Sequence, residues 1–411
     1  MKKISFSIQI LIASALGILA GIIFGSRMGN VSFLGTIFLR LIQMSVVLLV
    51  MSAIIESVGS IEPADLGKIG IKALVLFVIT TVISAVMGVL MVNVIKPGVG
   101  ITGVLPGKYE GQIFSISIPQ LITEFFPKNV MQSMAEGNMV QVIVFSIFFG
   151  LAISLTRHSE GSKRVYALVV DFGKVIMEII KIVMKFAPIG VFAPIGVFAL
   201  LGSITGTIGI GVIVPLVKFL AATFITCLVI LMFNLGIVSA YARVNPIKVL
   251  YKLKNTIIVS IATTSSAISL PVQMDDCENK LGISPRISRL VNSLAMSLNS
   301  DGLAVTIAIS CLMIAQFYGI ELSLQQQIVI VAVSTLSTLG NLLVPGGALV
   351  AVSIALNMTG LPLEGIALIA GVDWFAGIAR TFLNVVDDVL CTFFIAVSEK
   401  EFDRDIFDRN T

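Results

Sequence analysis

Five polar side chains near the end of the chain, Asp373, Arg380, Asn384, Asp387 and Asp388, share one face of a helix. At about 100° per residue they fall within an arc of roughly 100°. A second group, Asn299-Ser300-Asp301-Gly302, sets a carboxylate near the middle of a long apolar segment. The rigid fork of a guanidinium suits bidentate recognition of a carboxylate, which lysine would not reproduce. A carboxylate beside a glycine, where a helix can unwind and turn its carbonyls inward, suits a hard cation bound by oxygen; sodium is the natural candidate. Two blander readings stand beside these. Arg380 could be a permanent structural bridge to Asp373 or Asp387, and Asp301 could bond neighbouring hydroxyls merely to hold helices together.

The elements that carry these groups are set by composition. Of 411 residues, 57% are hydrophobic and 12% charged, against about 45–50% and 25% in soluble domains, which excludes a soluble enzyme. Because a membrane crossing needs about 20 apolar residues, uncharged runs such as Ile4 to Gly25, Ala73 to Ile95 and Phe219 to Ala242 predict an all-α polytopic membrane protein. Spans are expected at 4–25, 31–56, 70–96, 137–156, 165–200, 207–242, 287–318 and 364–396. Loops holding Lys68, Arg157, Lys163, Arg164, Arg243, Lys248, Lys252, Lys254, Arg286 and Arg289 are richer in positive charge than the alternate ones. Both termini are therefore expected in the cytoplasm, with the chain multi-pass in the cell inner (plasma) membrane. Lys2 and Lys3 before the first run could open a secretory signal, but that run exceeds a usual signal core and reads as a retained span.

Two further apolar stretches do not read as crossings. One, 248–280, is interrupted at Ala262-Thr-Thr-Ser-Ser-Ala267; the other, 323–358, at Val344-Pro-Gly-Gly-Ala348. Irregular backbone at membrane depth is tolerated only inside protein or along a cavity, so the pair is expected to be re-entrant hairpins flanking a transport site. Residues 97–136 read as an external loop. The immediate repeat of Ala187-Pro-Ile-Gly-Val-Phe192 as 193–198 places Pro188 and Pro194 in one span, where a kink is expected. The four cysteines and the single His158 have no metal or redox spacing. The net charge of +4 reads as loop placement rather than nucleic-acid binding. An intramembrane hydrolase would need a base for Ser265 or Ser266, and none is at hand. An anion channel would need a continuous wet path.

The chain resembles the dicarboxylate/amino acid:cation symporters, which include glutamate and aspartate transporters, over nearly its whole length. The markers are Phe38-Leu-Arg-Leu-Ile-Gln-Met44, Thr264-Ser-Ser266, Asn299-Ser-Asp-Gly302, Val344-Pro-Gly346, and Arg380-Thr-x-x-Asn384 with Asp388. The resemblance implies eight transmembrane helices plus two re-entrant helical hairpins, an elevator-type fold, and a homotrimer. Residues 1–245 would be mostly scaffold and trimerisation region, with the third and sixth spans belonging to a moving transport domain. The transport core would occupy 246–398, followed by a cytoplasmic tail at 399–411. Carried over by position, substrate would touch Ser265, Ser266, Val344, Gly346, Arg380, Thr381 and Asn384. One sodium site would use Asn299, Asn384, Asp388 and the Ala295 carbonyl. A second would use carbonyls of Ser297, Thr338, Leu339 and Asn341, and a third Thr80, Thr81, Asn299 and Asp301. Sodium ions, and no organic cofactor, are then the coupling partners.

Departures from the family pattern bear on the substrate. Where members that carry acidic amino acids place an aspartate for the α-amino group, this chain has Gly377. A buried ammonium without a partner costs several kcal/mol, so a C4-dicarboxylate such as succinate, fumarate or malate is favoured over glutamate or aspartate. Asp387, where a small residue is usual, could supply the missing acceptor. Leu303, where threonine is favoured, puts local ion geometry in question. Proton coupling remains an alternative to sodium.

Overall fold

The computed structural model describes residues 6–60, 66–99, 126–137, 139–185, 213–338 and 347–409, with a few isolated positions between them. Among the described residues the chain is helical, with only an isolated bridge between Ile283 and Phe402. The helices are α1 (Phe6–Phe24), α2 (Ser32–Ser60), α3 (Ile71–Ile95), α4 (Val130–Glu136), α5 (Met139–Leu155) and α6 (Glu160–Lys185). Then come α7 (Ile213–Ala242), α8 (Pro246–Lys252), α9 (Lys254–Thr263), α10 (Ser266–Asp276), α11 (Pro285–Leu298) and α12 (Asp301–Phe317). The last are α13 (Leu324–Thr338), α14 (Gly347–Met358), α15 (Ile366–Ala370), α16 (Asp373–Ser398) and α17 (Arg404–Asp408). The repeat at 187–198, apart from Phe198, and most of the expected external loop lie outside the described residues.

Four segments among the described residues are long and apolar enough to cross a membrane: Lys68–Ile95, Ile213–Ala242, Pro285–Phe317 and Asp373–Ser398. Their surroundings differ. α3 and α7 each turn an apolar face outward, with Val75, Val78, Val82, Val86 and Leu90 on one and Val217, Phe224, Leu228 and Met232 on the other. In α12 every residue from Asp301 to Ala315 is buried. A helix apolar on nearly all sides belongs inside a bundle, and α12 is encircled by α3, α7, α13, α14 and α16. One hydrophobic core runs through α3, α7 and the elements after residue 245, whereas α2 packs chiefly on α5 and α6.

Chain punctuation explains the boundaries. Asn245 caps α8 by accepting from the Ile247 amide at 2.8 Å, with Pro246 next; Ser284 and Pro285 open α11 in the same way. Such side chains satisfy amides that have no partner within the helix. The expected hairpin at 248–280 is formed by α9 and α10, joined through Thr264 in the left-handed region (φ 48°) and Ser265, which caps α10. Buried Asp276 fastens the two arms: it accepts from the Thr256 amide at 3.0 Å and hydroxyl at 2.8 Å, and pairs with Lys280. For the second expected hairpin, both arms are helical (α13 and α14), while its tip at 339–346 lies outside the described residues.

Two expectations need correction. The segment 287–318 is not one helix but two, α11 and α12, separated at Asn299 and Ser300. The segment 364–396 does not begin as a span: α15 ends at Ala370, with Gly371 as its cap, and α16 starts only at Asp373. Apolar content alone does not register these breaks, because an interruption of two residues leaves the stretch as a whole long and apolar enough for a crossing. The described part of the tail packs back onto the helices. Asp403 donates its amide to the Gly282 carbonyl at 2.7 Å, Ser284 bonds Glu401, and Phe407 is buried with Lys248 and Lys252 over its ring. The tail thus ties the base of the first hairpin to the end of α16. Lys72 on α3 adds a link to Glu399 at 2.6 Å, and its ammonium holds that carboxyl below the usual glutamate range. That link is present above the ordinary glutamate pKa and weakens as pH falls through the lowered one.

The two broken elements meet at Gly302. A Cβ there would lie 2.4 Å from the Arg380 carbonyl oxygen and 2.8 Å from its Cα, so α12 approaches α16 backbone to backbone. Gly302→Ala is expected to lower stability by about 1–3 kcal/mol through overpacking. Thermal unfolding of detergent-solubilised protein measures it, and an unchanged midpoint would contradict the close approach.

Candidate functional site

The break between α11 and α12 exposes backbone that a continuous helix would consume. At the end of α11 the Asn299 amide still donates to the Ala295 carbonyl at 2.8 Å, so the expected ligand Ala295 is also the last helical acceptor. Beyond it, Gly302 donates its amide to Asn384 Oδ1 on α16 at 2.7 Å. Asn299 donates Nδ2 to Asp388 Oδ1 at 2.9 Å, and its Oδ1 accepts from Thr80 Oγ1 at 3.3 Å and Thr81 Oγ1 at 3.5 Å on α3. Thr81 also donates to Asp301 Oδ1 at 2.8 Å. Six of the expected residues, Thr80, Thr81, Asn299, Asp301, Asn384 and Asp388, therefore form one buried network across α3, the break and α16.

The electrostatics of that network are incomplete. Asp301, Asp387 and Asp388 are each no more than 1% exposed. Among the described residues no lysine or arginine makes an ion pair with any of them. Asp301 Oδ2 has no hydrogen-bond donor among the described residues. A buried uncompensated carboxylate costs several kcal/mol. The converging donors are oxygens, and no cluster of three or more His, Cys, Asp or Glu suited to a metal occurs among the described residues. This oxygen-only, net-negative set fits a hard cation and not a transition metal.

Other expected residues stand as follows. Thr338 is fully buried, its hydroxyl donating to the Thr335 carbonyl at 2.6 Å, and Ser297 is half-buried at the end of α11. Ser265 and Ser266 sit half-buried at the tip of the first hairpin, whose arms both pack on α16. Thr381 is buried beside Arg380. Leu339, Asn341, Val344 and Gly346 lie outside the described residues, so the structure places neither the second hairpin tip nor its part of the site.

Arg380 corrects one expectation. Its guanidinium is not unpaired: Nη1 bonds Asp373 Oδ1 at 3.0 Å, one pair of helical turns back on the same face. Both side chains keep some exposure, 16% and 13%, and a guanidinium with five N–H donors retains others for a second anion. Gly377 lies alongside, where a Cβ would stand 3.2 Å from Nη2, leaving the guanidinium open on that side. Asp387, the other acceptor considered for a substrate ammonium, lies on the same helix. Asp387 is fully buried, and Asn234 on α7 donates to both its oxygens, at 2.8 and 2.9 Å.

Sequence reading missed Asn234, as it did Asn292, whose Oδ1 accepts from Gln273 at 2.9 Å and from Thr392 at 2.8 Å, joining α10, α11 and α16. The available signal was a lone amide in an apolar run, which in a membrane helix calls for a partner; which partner could not be read.

Comparison with known proteins identifies a family across nearly the whole chain. The model of the sodium:dicarboxylate symporter family matches residues 6–398. The chain is 32% identical to a proton/sodium-glutamate symport protein of Bacillus caldotenax, over 98% of this chain and 97% of that one. It is 33% identical to the proton/glutamate-aspartate symporter of Escherichia coli (strain K12), over 98% and 95%. With a C4-dicarboxylate transport protein of Laribacter hongkongensis (strain HLHK9) it shares 29% identity over 98% and 91%. All three are transporters rather than enzymes, and the match is continuous through the broken helices and the polar face of α16. The chain belongs to the sodium:dicarboxylate symporter family.

Proposed function

We propose that this protein is a secondary active symporter that couples inward sodium flux to uptake of a small C4-dicarboxylate. The observation that carries the reading is the direct bond between the two halves of the site. Gly302 and Asn299, at the break beside Asp301, are hydrogen-bonded to Asn384 and Asp388 on the helix that presents Arg380. A cation at the oxygen cluster stabilises the arrangement that holds α16 in place. A substrate anion at Arg380 restores the charge balance the cations alter. Each ligand then favours the other by the same factor, which is reciprocal linkage.

Substrate binding in this reading uses Arg380 for one carboxylate, with Thr381, Asn384 and the hairpin residues Ser265, Ser266, Val344 and Gly346 around the rest. Cations would use Thr80, Thr81, Asn299 and Asp301; Ala295, Asn299, Asn384 and Asp388; and Ser297, Thr338, Leu339 and Asn341. Gly377 offers no carboxylate for an ammonium, and Asp387 is taken by Asn234, which supports a dicarboxylate over an acidic amino acid. The second reading, uptake of glutamate or aspartate with sodium or protons, is supported by the names of the relatives at 32–33% identity. The shared core of α3, α7 and the elements after residue 245 supports an elevator motion of that unit against α2, α5 and α6. Eight crossings with two hairpins, a homotrimer, and cytoplasmic termini complete the proposal.

Uptake of labelled succinate and labelled aspartate into proteoliposomes under an inward sodium gradient tests it. Succinate uptake should be sodium-dependent and only weakly inhibited by aspartate. Strong aspartate uptake that succinate does not inhibit reverses the substrate order, and uptake unchanged when choline replaces sodium removes sodium coupling. Arg380→Lys, which keeps the charge and loses the fork, should raise the KM for a dicarboxylate by about ten- to a hundredfold, the value of a charge-assisted hydrogen bond. An unaltered KM would remove Arg380 from the substrate.

A further inference from the structure

Three helices that carry proposed ligands are tied together by side chains that are not themselves expected ligands. On α11, Asn292 stands one turn before Ala295 and two before Asn299, the cation-side residues of that helix. It is fully buried, as are Gln273 on α10 and Thr392 on α16. Its Oδ1 accepts from Gln273 Nε2 at 2.9 Å and from Thr392 Oγ1 at 2.8 Å. Its Nδ2 donates to Cys277 Sγ at 3.4 Å and to Ser288 Oγ at 3.5 Å. One amide therefore engages three helices, and both of its ends have partners. Those helices also pack on one another pairwise.

Each of these bonds lies a short, rigid distance from a proposed ligand. Thr392 is one turn past Asp388, and its hydroxyl is shared with the Asp388 carbonyl, 2.7 Å away. Gln273 is two turns along α10 from Ser266, about 10 Å at the helical rise. An apolar contact would also hold these helices together, but it tolerates sliding of one along another. A directional bond in a dry interior does not, because a slipped amide leaves buried polar groups without partners. The Asn292 bonds thus fix where Ser265 and Ser266 stand along α16, relative to Arg380 and Asn384. We infer that Asn292 is a positioning residue for coupling. It locks the first hairpin to the two helices that hold the cation, so that sodium at Asn299 and Asp388 raises the affinity of the hairpin tip for the dicarboxylate. The inference rests on the sodium-coupling reading and names the contact that transmits it; Asn292 itself touches neither ion nor substrate.

Asn292→Leu keeps the branched shape and removes the amide. A triple variant, Gln273→Met with Asn292→Leu and Thr392→Val, removes its partners as well. Wild type and both variants are to be reconstituted, and the KM for labelled succinate measured at rising sodium concentrations, alongside thermal unfolding in detergent. Wild-type KM should fall as sodium rises. Asn292→Leu takes from Gln273 its buried acceptor and should melt lower. In that variant the ratio of KM at low sodium to KM at saturating sodium should drop by about fivefold or more. The triple variant separates stability from coupling. It should melt near wild type, because replacing all partners of a buried bond by apolar groups is close to neutral, yet its KM should respond to sodium as weakly as that of Asn292→Leu. A triple variant that keeps the wild-type dependence of KM on sodium overturns the inference and leaves sodium coupling intact. So does an Asn292→Leu protein that melts lower with its KM ratio unchanged, which makes the amide a structural bond only. If Asn292→Leu does not fold, the triple variant decides by the same comparison. A wild type whose KM ignores sodium defeats both this inference and the coupling on which it rests.

Discussion

The candidate site is arranged around buried carboxylates that no arginine or lysine among the described residues pairs with. A buried acid in a low-dielectric interior is tolerable only with a counter-charge. Asp301 and Asp388 obtain hydrogen bonds from Thr81 and Asn299, which orient but do not neutralise them. The fold therefore encloses an electrostatic deficit that a cation can fill. The same logic explains why the helix carrying Asp301 breaks just ahead of it: a continuous ladder would keep the Gly302 amide for its own helix, whereas the break delivers it to Asn384.

The scaffolding follows from that demand. α12 is buried along nearly its whole described length because its polar start has to be enclosed from all sides. Gly302 lets α16 approach closely enough for Asn384 to reach the break. Hairpin rigidity comes from elsewhere. Asp276 locks the two arms, Asn292 ties the second arm to α11 and α16, and the tail closes the base through Glu401, Asp403 and Phe407.

Much of the site was legible as residue types. Asp301, Asn384 and Asp388 stand out because ionisable and amide groups in membrane helices are expensive and rarely accidental, and the interruption at 262–267 announced a turn that the structure has at Thr264 and Ser265. Partners were not legible. That Arg380 bonds Asp373 rather than standing free depends on side-chain reach across two turns, which a helical arc permits but does not choose. That Asp387 is held by Asn234 depends on the packing of α7 against α16, and those two elements are far apart in the chain. The break at Asn299 and Ser300 was anticipated as local unwinding at a glycine, yet the span was still drawn as continuous, because two polar residues do not interrupt a stretch that is apolar enough as a whole to cross.

Sequence by itself determined the solvent, the helical class and the chemical inventory: apolar runs long enough for a bilayer must be helices, since no other open structure satisfies its own backbone there. It also determined which residue types were available, one guanidinium on a polar face and several acids with no histidine or cysteine cluster to rival them. Only the tertiary structure decided which of these meet. Pairing among buried charges turns on distances of a few ångströms between helices distant in sequence, and at that scale exchanging one partner for another changes a counter-ion into a competitor.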